Sequence, residues 1–86
     1  MDDVDALVKI TASAHARREL LYLRALEKDD ERAASSLLRS DPNIVRRLRA
    51  QGLDPEEGGE WELPRERSER MGRLWEACWR YHADRL

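Results

Sequence analysis

PRERSERMGRLWEACWRYHADRL, residues 64–86, is the stretch whose reading decides the fold. Pro64 is pre-set for the first position of a helix, where a missing N–H costs nothing. Glu66/Arg70, Glu69/Arg73 and Glu76/Arg80 are acid-first pairs four residues apart, each worth about 0.2–0.5 kcal/mol on a solvated helix face. Met71, Leu74, Trp75, Cys78, Trp79, His82 and Leu86 recur at three- and four-residue steps on another face. The spacing predicts a helix over 64–85 that anchors the fold and needs a partner for its aromatic side.

Immediately upstream, residues 53–62 read as an acidic loop. Asp54, Glu56, Glu57, Glu60 and Glu62 stand there without a base, giving −5 over 54–62. Trp61 and Leu63 alternate around Glu62 as a short extended strip expected to drop both side chains onto the core. Ser40-Asp41-Pro42 before and Gly52 after bracket a helix over 42–51. A glycine just past the end lets the chain turn left-handed and brings Leu48 and Leu53 together.

The first helix is predicted over 3–28, with Asp2, Asp3 and Asp5 at the positive end of its dipole. Val4, Leu7, Val8, Thr11, Ala14, Leu21, Tyr22, Ala25 and Leu26 form its apolar stripe. One continuous helix to Arg39 would exceed ~50 Å at 1.5 Å per residue. A turn at Asp29-Asp30 is therefore expected, with a further helix over 30–39. The sum is an all-α, bundle-like single domain over 1–86, of three to four helices with long first and last members packed together. Trp61, Trp75, Trp79, Leu21, Leu48 and Leu74 should form its core.

Composition agrees. Ten Ala and twelve Leu stand against six β-branched residues, which favours helix. Charged residues are 40% of the chain, but three Trp and two Tyr carry more burial than disordered tracts do. Net charge is −2, unlike a generic nucleic-acid binder. A single cysteine excludes an internal disulfide and fits a reducing compartment. No apolar run approaches the ~20 residues of a membrane span, and the acidic start does not read as a secretory signal. The expectation is a cytoplasmic protein without membrane contact. Fourteen Arg against two Lys suggests a GC-rich, bacterial or phage, coding genome.

Little in the chain points to catalysis. Ser13, Ser35, Ser36 and Ser68 have no nucleophile elbow or base pattern, and there is no glycine-rich phosphate cradle. Cys78 and His82 lie one turn apart and could face one ion, with His15 as a third ligand and an acid as the fourth if His15 faced His82. Two ligands do not make a site, so both are expected as core and core-edge residues, and no metal or cofactor is expected.

Binding is better marked. Leu20 and Leu23 lie off the main stripe, so residues 20–26 are apolar nearly all round: either packed between neighbours or offering a second face to another chain. Arg18 interrupts the stripe, reaching the rim, pairing with an acid, or awaiting a partner. Glu57 and Glu60, beside Trp61, suit docking on a basic protein. Arg18, Leu20, Leu23, Glu57 and Glu60 are the candidate partner-binding residues of a small, non-enzymatic regulatory or adaptor protein. Such a protein would work by protein–protein interaction, as a homodimer or as an inhibitor of a larger partner. The alternative is a helix-turn-helix DNA-binding transcriptional regulator reading bases through Asn43, Arg46 and Arg47. Its few outward bases and acidic neighbour loop make nucleic acid the weaker of the two partners.

Overall fold

A computed structural model describes residues 13–85. These residues form four helices and no strand: α1 (Ala14–Glu27), α2 (Glu31–Ser40), α3 (Ile44–Ala50) and α4 (Pro64–Ala83). The fold is all-α, with the first and last of these helices sharing the largest interface. None is long and apolar enough to cross a membrane.

Each boundary has a local cause. Ser13 is extended (ψ 131°) and its side chain accepts from the Ala16 N–H at 3.3 Å, so α1 starts there. The expected helix over 3–28 is thus corrected at Ser13, and its proposed start near Asp3 lies outside the described residues. α1 ends at the expected turn. Asp29 takes a left-handed φ of 56°, Asp29 N donates to Leu26 O at 3.1 Å and Asp30 N to Ala25 O at 2.8 Å. These two bonds are a Schellman closure made without glycine. Asp30 then caps α2, accepting from Ala33 N at 3.1 Å.

α3 begins two residues later than the sequence suggests. The Asp41 carboxylate accepts from Asn43 N at 3.3 Å and the Asp41 carbonyl from Ile44 N, so Pro42 and Asn43 form a turn. Its far end matches expectation: Gly52 sits at φ 82°, and Gly52 N and Leu53 N donate to Arg49 O and Leu48 O, both at 2.9 Å. Pro64 opens α4.

The core gathers Leu20 and Leu23 from α1, Ala34 from α2, Ile44 and Leu48 from α3, and Met71, Trp75 and Cys78 from α4. α1 is the central element, touching each of the other three helices. That explains the apolar character of residues 20–26, because a helix with neighbours on several sides has no polar face to spare. Leu20 and Leu23, expected as a partner-facing side, are fully buried, and that expectation is corrected. Tyr22 and Ala25 of the stripe read from the sequence are buried, and Leu21 and Leu26 pack against the core; Ala16, Glu19, Leu20 and Leu23 are buried beside them. Leu21, Leu74 and Trp79 are only partly buried against this core. Trp61 is not in it.

Candidate functional site

The most exposed large apolar side chains among the described residues are neighbours: Trp61 at 94% and Leu63 at 61%. The expectation that both drop onto the core is overturned. The cause is Glu62 between them, which turns inward. Its carboxylate is held by Arg70 of α4, Nε to Oε2 at 2.7 Å and Nη2 to Oε1 at 2.8 Å. Trp61 lies in a turn and Leu63 is extended, so with Glu62 fixed inward the two apolar side chains beside it stay outside. Gly58 permits this, since a Cβ there would run into the Glu62 carboxylate.

Arg70 also donates to two carbonyls of the loop, Asp54 O and Pro55 O, both at 3.1 Å. Its planar fork is thereby spent on four bonds that pin both ends of the loop to one side chain. Pro55 is buried. Arg49 of α3 reaches Glu56 at 3.0 Å and Asp54 at 3.6 Å, an exposed contact that adds little energy. Glu62 is held below the ordinary carboxylate range by the Arg70 hydrogen bonds, so this clamp is ionised at neutral pH.

Of the five loop acids, then, Glu62 is neutralised by Arg70, and Asp54 and Glu56 are shared with Arg49. Glu57 and Glu60 are exposed, and their carboxylates form no hydrogen bond or ion pair among the described residues. A groove of about 300 Å³ opens between the loop and the α1–α2 turn, with Leu26, Glu27, Gly59, Glu60 and Pro64 in its walls. The arrangement is an outward indole on a clamped loop, flanked by unneutralised carboxylates.

Arg18 lies at the rim, its side chain 41% exposed and Nη1 3.6 Å from Asp41 Oδ2. Asn43 and Arg46 are exposed. Arg47 is not available for base reading. It is half-buried, donating from Nη1 and Nη2 to Asp41 at 3.0 and 2.6 Å and from Nε to Glu19 Oε2 at 3.2 Å. The DNA-reading set is corrected accordingly: one of its three members is a strut of the fold.

Glu19 is the residue that sequence reasoning missed. It is 1% exposed and accepts from Arg47, from Gln51 Nε2, and lies 3.3 Å from His82 Nε2. Its ligand oxygen, the Cys78 sulfur and a His82 nitrogen lie within 4.8 Å of one another. His15, the third ligand imagined from the sequence, is exposed and outside this group. Burial, with the Glu19 carboxylate beside it, pushes the Cys78 thiol up to about 12, so as a free thiol it is not a nucleophile at neutral pH. The signal for Glu19 was present: a carboxylate at the four-residue step between His15 and Leu23, in the middle of an apolar helix.

Comparison with protein families, with characterised proteins and with solved structures finds no match to this chain.

Proposed function

We propose that the protein is a small, non-catalytic regulatory or adaptor protein that binds a basic protein partner through its 54–63 loop. Trp61 is the anchor and Glu57 and Glu60 select for positive charge. One observation carries the reading: an indole 94% exposed on a loop that four Arg70 hydrogen bonds fix in place. Leaving a tryptophan in water forfeits the burial that its size offers a small core. Trp is also the residue type most enriched at the energetic centres of interfaces, and a pre-organised loop lowers the ordering cost of binding. The occupant is a basic segment with an apolar pocket, because the free carboxylates beside the indole complement positive charge and repel acidic surfaces.

The test is site-specific photo-crosslinking in cells of the source organism. A photoreactive phenylalanine analogue replaces Leu63, 61% exposed beside Trp61, in one strain and Ser35, exposed on α2, in another. A discrete adduct to one basic protein from position 63 and none from position 35 is the expected result. No adduct at 63, or the same adducts from both positions, overturns the assignment.

A further inference from the structure

Beyond this surface, we infer that Glu19, Cys78 and His82 form a transition-metal site of the zinc type at the α1–α4 interface. Cys78 and His82 are one turn apart on α4, so both project from one face, and Glu19 meets them from α1. The three ligand atoms lie within 4.8 Å of one another. Tetrahedral zinc, with bonds of about 2.0–2.3 Å, holds its ligand atoms roughly 3.3–3.8 Å apart. The set therefore closes on an ion by drawing in about 1 Å, within the reach of side-chain rotation. A thiolate, an imidazole and a carboxylate together suit zinc and its neighbours rather than calcium or magnesium, which take oxygen.

Two further features point the same way. The Glu19 carboxylate is already oriented: Arg47 Nε occupies Oε2 at 3.2 Å, while Oε1 faces His82 Nε2 at 3.3 Å. An outer hydrogen bond of this kind fixes a metal-binding carboxylate. Gln51 Nε2 donates to that same Oε1, so a second side chain holds the carboxylate in place. A water from solvent would complete the tetrahedral set. On binding, the Cys78 S–H bond is exchanged for a sulfur–metal bond and the proton leaves to solvent. The ion's two positive charges then match one thiolate and one carboxylate.

The test uses the tag-free, reduced, metal-stripped full chain and cobalt(II), followed by zinc(II). One equivalent of cobalt should give a near-ultraviolet sulfur-to-cobalt charge-transfer band with strong tetrahedral visible bands. Zinc should bleach both and raise the melting temperature. Cys78→Ser should abolish the charge-transfer band. His82→Gln, at the edge of the core with its side chain 17% exposed, keeps the test valid if the cysteine variant fails to fold; it should weaken binding at least about tenfold. His15→Gln should change nothing. Folded wild-type protein without the band, or His82→Gln binding cobalt as wild type does, overturns the site.

Discussion

Arg70 grips Glu62 through two nitrogens, at 2.7 and 2.8 Å, while Trp61, next to Glu62, faces water. The loop that carries Glu57 and Glu60 is fastened at Asp54 and Pro55 by the same guanidinium.

Arg70→Met should therefore release the loop without dissolving the core. Hydrogen bonds from a charged donor are worth about 1.5–3 kcal/mol each, and proteolysis under native conditions follows the population of the opened segment. Cleavage within residues 54–62 should accelerate by on the order of tenfold or more, read by limited proteolysis with mass spectrometry. Unchanged cleavage would mean that the loop is held by something other than Arg70.

Two tryptophans should behave in opposite ways. Trp75 is 7% exposed and sits in the core with Arg24 stacked 4.8 Å from its ring. Trp75→Ala should cost about 3–5 kcal/mol, enough to unfold most of the protein. Trp61→Ala should stay within about 0.5 kcal/mol of wild type. Denaturant melts of the two variants decide this, and a large loss at position 61 would place that indole inside.

Asp29 occupies a left-handed φ of 56° that costs a side chain about 1–2 kcal/mol. Part of this is offset in a glycine by greater unfolded-state freedom. Its ion pair with Arg67, at 3.0 Å, is exposed and contributes little. Asp29→Gly should stabilise the fold by roughly 0.5–1 kcal/mol, visible as a raised melting temperature.

Arg47 joins α3 to α1 through Asp41 and Glu19, and Arg47→Met leaves Glu19 buried without its cation. The loss at neutral pH should be at least about 2 kcal/mol. The acid limb should change as well. The Arg47 hydrogen bond holds Asp41 down to about 2, from an ordinary 3.8. A carboxylate whose folded value is depressed stabilises fully above its unfolded value and loses that contribution as pH falls through the folded one. Wild-type stability from this pair is thus complete above about pH 4 and lost toward pH 2. In Arg47→Met that window should narrow, as followed by circular dichroism during acid titration, because the Asn43 N–H remains as the main group lowering Asp41.

Much of the architecture was legible because its signals are local. Gly52 after Leu48, Asp29-Asp30, and Pro64 ahead of an amphipathic run mark ends and starts through backbone chemistry that neighbours cannot override. The phase of α1 was legible in part: Tyr22 and Ala25 of the predicted stripe are buried. Which of the two readings of Leu20 and Leu23 holds was not, because burial on a second side depends on how many neighbours the helix has, and α1 has three. Pro42 misled at α3, because the Asp41 carboxylate took the Asn43 N–H and moved the start to Ile44.

The site was half legible for the same reason. Glu57 and Glu60 announced themselves as unneutralised charge in a glycine-containing loop. Trp61 was read inward because aromatic size normally decides burial; here the inward place beside it is taken by Glu62, whose partner Arg70 lies on another element. Glu19 was hidden in the same way, since the arginine, glutamine and histidine that make its burial tolerable come from α3, the residue after it, and α4. Pairings across elements are not written in the spacing of any one of them.

The most direct test of the central claim is the affinity of the crosslinked basic partner, purified, for wild-type protein and for Trp61→Ala, measured by calorimetry. Loss of a central anchor costs about 2 kcal/mol or more, or roughly thirtyfold in Kd. The account predicts that weakening with the melting temperature unchanged. Equal affinity for the two proteins would contradict it, and would show that the exposed indole takes no part in recognition.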